Sequence, residues 1–254
     1  MLKKILAVSF LNFKQGIRDK LFLSVVFFFV FFLAFCALLG KLSVGESEKV
    51  LRNAGLAGIE LSGLILVVFS LVFSFYREKE SRILEIYLSC FSRSEYISGK
   101  FIGYLLICIF YLVLAAVGYS FILFLYNGFI WQATVGIFGL FLKLSIAIGF
   151  SLLFSCLFSS PTMAFLCTLF LYLTTEAAYP TLKIIMDGAN SLQIIIYKCL
   201  YYVLPNLDKL DLKSQAAYGE LPNLTFFISA GVYGLGYCLF LWFIARFIFL
   251  RKEY

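Results

Sequence analysis

The chain has 254 residues, of which 63% are hydrophobic and 14% charged, against about 45–50% and about 25% in an average soluble domain. The apolar excess falls in blocks of about twenty residues, the length that crosses ~30 Å of hydrocarbon, so a polytopic membrane protein is expected. Histidine is absent, which excludes His-based zinc sites, His-ligated haem and Ser-His-Asp or Cys-His catalysis. The net charge of +7 mostly flanks the apolar blocks. It sets orientation and predicts no nucleic-acid partner.

Residues 1–20 read as an amphipathic interface helix. At 100° per residue Leu2, Leu6, Phe10, Phe13 and Ile17 form one stripe, and Lys4, Asn12, Gln15, Arg18 and Asp19 lie opposite. Such a helix lies in the cytoplasmic headgroup layer, its basic residues drawn to anionic membrane lipids.

Six spans are predicted at 21–40, 57–76, 101–126, 142–158, 162–180 and 226–249. The aromatic run Phe27 to Phe29 with Phe31 and Phe32 reads as lipid-facing or packing surface. An even count puts both termini on one side. That side, with the 77–100 segment, carries thirteen Lys and Arg; the other carries seven, and Lys143 stands at a span boundary. The termini are therefore expected in the cytoplasm, the 181–225 loop outside, and the protein in the cytoplasmic (inner) membrane.

Glu60 and Glu176 lie within about four residues of the outer ends of their spans and are pathway candidates, because an ionisable group at membrane depth is costly. Residues 129–141 (FIWQATVGIFGLF) contain Gly136 and Gly139 and precede Lys143. Starting the fourth span near 142 lets Lys143 snorkel outward, so 129–141 is predicted to be a re-entrant or surface-lying segment. The turn Ser159-Ser160-Pro161 forces its two flanking spans to be antiparallel neighbours. Of the seven cysteines, five lie in apolar runs and none forms CxxC; they read as small apolar filler, with no metal or disulfide framework.

The 77–100 segment carries Glu78, Glu80 and Glu85, an apolar patch of Ile83, Leu84, Tyr87 and Leu88, and then Ser92-Arg93-Ser94-Glu95. Ser92 and Glu95 have capping-box spacing, so a helix, a bend and a second helix are predicted on the cytoplasmic face. Glu78 and Arg82 are spaced i, i+4 for a surface ion pair.

The order Glu-x-Glu, Ile-Leu-x-x-x-Leu-Ser, Ser-Arg-x-Glu-Tyr-x-x-Gly-Lys and then a span resembles the cytoplasmic elbow of ABC-2 type transporter permeases. Phe158-Ser159-Ser160-Pro161, Leu204-Pro205-Asn206-Leu207-Asp208, and a last span with Tyr233 and Tyr237 ending in Arg251-Lys252 agree in register. The similarity is greatest to the six-span type that includes the nitrous-oxide-reductase maturation permease. The chain departs from the family at Ile83, where Thr is usual, and at Cys90-Phe91, where the bend usually carries Pro.

The resemblance implies an all-α fold of the type V exporter kind: one transmembrane domain, six spans, an interface helix and a cytoplasmic coupling elbow. It further implies a permease subunit of an ABC exporter that docks a cytosolic ATPase through the interface helix and through Glu78, Glu80, Ile83, Leu84, Glu85, Tyr87, Leu88, Arg93 and Glu95, and that pairs with a second permease, a homodimer being expected. The chain itself lacks GxxxxGK[ST]. Neither Gly40-Lys41 nor Gly99-Lys100 has the earlier glycine or the following hydroxyl. It is therefore expected to be no enzyme and to bind no cofactor, with ATP and magnesium held by the partner. An intramembrane protease or acyltransferase would need a catalytic constellation that the sequence lacks. A secondary transporter would show internal repeats, and none is seen. A structural scaffold shares every feature except the elbow.

Overall fold

A computed structural model describes residues 2–42, 47–126, 129–185, 204–219 and 223–252. Within them the chain is helical: α1 (Leu2–Arg18), α2 (Lys20–Leu42), α3 (Ser47–Glu80), α4 (Ile83–Cys90), α5 (Arg93–Leu125), α6 (Trp131–Leu157), α7 (Pro161–Ile185), a 3-10 turn (Leu207–Leu210), α8 (Lys213–Tyr218) and α9 (Leu224–Arg251). Helices α3, α5, α6 and α9 are long and apolar enough to cross a membrane. The α1–α2 pair, bent by 56° at Asp19, makes a fifth span if taken as one. The predicted 162–180 span lies on α7. Of the predicted outer loop, residues 186–203 and 220–222, with Cys199, lie outside the described residues.

Helix ends follow local chemistry. The predicted capping box is present: Glu95 N donates to the Ser92 side chain, and the Ser92 amide donates to Glu95 Oε2 at 3.0 Å. Pro161 opens α7, where its missing N–H costs nothing. α3 stops at Glu80, and Arg82 turns the chain with left-handed backbone, φ 57°, so Arg82 leaves the helical face that an i, i+4 pair with Glu78 requires.

α3 and α6 occupy the centre. α3 packs against α2, α5, α6 and α7, and α6 against α9, α3, α5 and α7. Large side chains such as Phe27, Phe31, Phe121, Phe170 and Phe243 point outward, as a lipid-facing surface allows. The α3–α5 hairpin is joined by a ladder of buried tyrosines on one face of α5. Tyr104 donates to Ser70 O at 3.0 Å, Tyr119 donates to Arg52 O at 2.9 Å, Tyr111 shares a hydrogen bond with Ser62, and Tyr96 donates to Glu78. Interhelical hydrogen bonds in membrane proteins contribute about 0.6 kcal/mol each on average, so the ladder sets register as much as stability.

α1 has its largest interface with α5. Its buried face is Val8, Ser9, Asn12 and Gly16, so Asn12 does not lie on a solvent face as its wheel position suggested. The reason is close approach: a β-carbon on Gly103 would lie 2.8 Å from Asn12 Cβ and 3.0 Å from Ser9 O. Gly103→Val is expected to cost about 1–3 kcal/mol by overpacking, read as a lower melting temperature and faster proteolysis of α1. Leu6 and Phe10 remain exposed, while Phe13 and Ile17 are half-buried, Phe13 edge-on to Phe110.

The 129–141 prediction is corrected: α6 runs unbroken from Trp131 to Leu157. Gly136 and Gly139 are contact points, since a β-carbon on Gly139 would lie 2.5 Å from Leu210 O and one on Gly136 3.0 Å from Ala216 Cβ. Lys143 does not snorkel but is fully buried, because partners on three other segments neutralise it.

Candidate functional site

α3 carries two buried carboxylates, Glu60 thirteen residues after its first residue and Glu78 two before its last. They are eighteen residues apart, ~27 Å along the axis at 1.5 Å per residue, close to the thickness of the hydrocarbon layer. Each is paired with a fully buried lysine from another helix.

Near the C-terminal end of α3, Lys100 Nζ of α5 lies 2.7 Å from Glu78 Oε1. Ser74 donates to the same oxygen at 3.1 Å and Tyr96 donates to the other. Lys100 Nζ also sits 5.5 Å from the ring centres of Phe75 and Tyr96. The carboxylate is satisfied on both oxygens, which a buried charge requires. The Gly99-Lys100 pair belongs to this packing: a β-carbon on Gly99 would meet Val8 of α1 at 2.6 Å.

The elbow α4 covers this pair. Leu84 is buried against the bundle, which corrects its place in the predicted docking patch, and Tyr87 and Leu88 are half-buried. Tyr87 lies between Phe91 and Tyr96, with ring centres 6.5 and 5.9 Å away. Ile83 and Ile86 are the exposed apolar residues, and Glu80 and Glu85 are exposed beside them. Glu78 therefore does not belong with Glu80 and Glu85 on a solvated face. Arg93 donates to Lys252 O at 2.9 Å, and Lys252 Nζ donates to Cys156 O and Leu157 O, each at 2.9 Å. A cation on the last carbonyls of α6 complements that helix end, and the C-terminus thereby ties the elbow to α6.

Around Glu60 the two pathway candidates meet in one cluster. Lys143 Nζ of α6 lies 3.1 Å from Glu60, 3.5 Å from Glu176 of α7 and 3.2 Å from Asp211. Lys213 Nζ pairs with Glu60 and lies 3.5 Å from both Glu176 and Asp211. Tyr172 donates to Glu60 Oε1 at 2.8 Å. Three carboxylates and two ammonium groups thus join α3, α6, α7 and the 204–219 segment. That segment is also held by apolar contacts through Leu207, Leu210, Leu212 and Ala216, all buried, and by the Asn206 amide donating to Tyr233 at 2.8 Å.

Burial would raise the Asp211 carboxyl, but Lys143 and the Lys213 amide and ammonium outweigh it and hold it below the usual range. Burial works against the Lys213 charge, but Glu60, with Asp211 and Glu176, raises it above the usual lysine value. A depressed acid stabilises the fold above its unfolded pKa, about 3.9, and a raised base stabilises it below its own, about 10.4. The anchoring of this segment is therefore constant between about pH 5 and 9 and weakens only outside those limits.

The sequence identifies Glu60 and Glu176 without their partners, and it gives Tyr96 and Lys100 no role beyond their place in the motif that resembles ABC-2 permeases. Local pattern gives no direct pointer to this pair: Glu78 is two residues before the end of α3 and Lys100 seven residues after the start of α5, so the way the two helices pack across α4 sets the pairing. None of the six described cysteines forms a disulfide, and no group of His, Cys, Asp or Glu among the described residues is arranged to hold a metal.

No curated protein matches the chain. A family profile described as "ABC-2 family transporter protein" matches residues 6–253. The match runs from α1 to the C-terminal tie and includes every segment in which the sequence resembled ABC-2 permeases: this helical membrane protein belongs to the ABC-2 family of transporter proteins.

Proposed function

We propose that the chain is the membrane-spanning permease subunit of an ABC exporter. In this reading six helices, α2, α3, α5, α6, α7 and α9, cross the cytoplasmic membrane with both termini inside. A separate cytosolic ATPase holds ATP and magnesium, and two copies of the permease pair to form the pathway. Membership of the ABC-2 family supports association with an ABC ATPase.

The observation that carries this reading furthest is the elbow. α4 holds Ile83 and Ile86 outward while Leu84 anchors it, and apolar residues facing the cytosol mark a partner surface. ATPase closure can push on α4, and Leu84, Tyr87 and the Glu78–Lys100 pair pass the movement to α3 and α5. Glu80 and Glu85 are the charged rim of that surface.

Ile86→Glu is expected to lower co-purification of the ATPase several-fold with membrane insertion and melting temperature unchanged, because the side chain is largely exposed. Equal recovery of the ATPase would count against the elbow as its docking point. A charge at Leu84 is a poorer test, since it would disrupt α4 itself. Orientation is tested separately: a cysteine placed at Ser214 should react with an impermeant reagent from outside only, and reaction from the cytoplasmic side alone would reverse the topology.

A further inference from the structure

α1 presents three faces. Val8, Ser9, Asn12 and Gly16 pack on α5, and Leu2, Leu6 and Phe10 are exposed and apolar. The third face, Leu11, Lys14, Gln15 and Arg18, is spaced i, i+3, i+4, i+7 and is exposed. It forms one wall of an open groove of about 580 Å³, completed by Lys20 at the α1–α2 bend, Arg77 at the end of α3 and Tyr87 of α4. Asp19, also in the groove, pairs with Arg77 at 3.4 Å. Four cations thus face one carboxylate. Among the described residues Lys14, Arg18 and Lys20 have no carboxylate partner within ion-pair distance.

Asp19 and Arg77 also stand at the mouth of a second cavity of about 380 Å³ between the start of α2, α3 and the start of α7. Its lining is mixed: Leu21 and Pro161, with Phe69 and Phe73 stacked 4.0 Å apart and edge-on to Phe165, form an aromatic wall, and Ser70, Ser74, Tyr76 and Glu80 complete it. A basic groove therefore adjoins a slot with an aromatic wall through two shared residues. The exposed Leu6 and Phe10 of α1 place both at the level where headgroups meet acyl chains.

We propose that the groove binds the phosphate headgroup of an anionic phospholipid from the cytoplasmic leaflet, with one acyl chain in the Phe69–Phe73 slot. Lys14, Arg18 and Lys20 attract the phosphate, and Arg77, already turned toward Asp19, is placed to donate to a phosphate oxygen as well. An acidic protein segment would match the charge but leave the aromatic slot empty. A free anion would leave it empty too. The coincidence of the two cavities at Asp19 and Arg77 favours an amphiphile, and this holds whatever the chain transports.

The test uses the full chain, delipidated in neutral detergent and examined by native mass spectrometry with phosphatidylglycerol and phosphatidylcholine of identical acyl chains. The wild-type protein should retain phosphatidylglycerol in preference to phosphatidylcholine by about tenfold or more, as two or more interfacial cations imply. The double variant Lys14→Gln and Arg18→Gln should bring the two lipids close to parity with an unchanged melting temperature, since both side chains are exposed. Deacylated glycerophosphoglycerol should fail to displace the bound lipid. Parity in the wild type, or undiminished preference in the double variant, would overturn the proposal. Full displacement by the deacylated headgroup would make the groove a free-anion site. Undiminished lipid preference together with loss of ATPase co-purification in the double variant would reassign it to protein docking.

Discussion

Lys143→Ala is expected to destabilise the protein by on the order of 3–5 kcal/mol, because it leaves Glu60, Glu176 and Asp211 around a single remaining cation. Glu60 bears most of the cost, being almost fully buried, whereas Glu176 and Asp211 are partly exposed and can recruit water. The variant should melt well below the wild type, and the 204–219 segment should become accessible to protease while α1 stays protected. Restoring charge balance distinguishes electrostatics from packing. Lys143→Met combined with Glu60→Gln should recover much of the loss, since apolar or neutral replacement of a whole buried pair is often tolerated. A single Lys143→Ala variant that melts like the wild type would mean that the cluster is solvated and holds nothing together.

The helices were legible in the sequence because apolar blocks and their caps are local signals. Ser92 and Glu95 announce the start of α5 by themselves, and the stripe Leu2, Leu6, Phe10 announces α1. What could not be read locally was which polar residues face one another. Lys143 was placed at the interface because an isolated lysine in hydrocarbon is expensive; the structure removes the premise by bringing Glu60, Glu176 and Asp211 to it from segments 83, 33 and 68 residues away. The same correction extended α6 back to Trp131, since the helix no longer had to start near the lysine. Glu78 was misread for a related reason. Arg82, four residues on, has the spacing of a surface helix pair, while the true partner Lys100 lies across the hairpin. Asn12 shows the limit of the helical wheel: a polar side chain can be buried where glycines such as Gly103 let two backbones approach.

The two clusters also divide the labour on α3. The Glu60 cluster gathers four segments and includes partly exposed groups, so water can soften it. The Glu78 cluster is a single pair inside a shell of Ser74, Phe75, Tyr96 and α4, with the lysine fully buried. In the proposed mechanism a displacement of α4 would meet this pair at the C-terminal end of α3. This gives the Glu78–Lys100 pair a mechanical position that Glu80 and Glu85, exposed on the elbow rim, do not have.

Glu78→Gln should accordingly lower transport-coupled ATP turnover several-fold, but a loss in this single variant would prove little. The substitution strands a buried ammonium group, with an expected destabilisation on the order of 3–5 kcal/mol, and reduced turnover could follow from unfolding alone. The informative variant is Glu78→Gln with Lys100→Met, which removes both charges and keeps a side chain of similar length at each site. Its melting temperature should return toward the wild type. If the pair were only a brace, turnover would return with it. If, as proposed, the pair stiffens the path from α4 into α3 and α5, turnover in lipid with the partner ATPase should stay several-fold low although assembly and stability are restored. Wild-type turnover in the double variant would leave the elbow as a docking surface and remove the buried pair from the coupling mechanism.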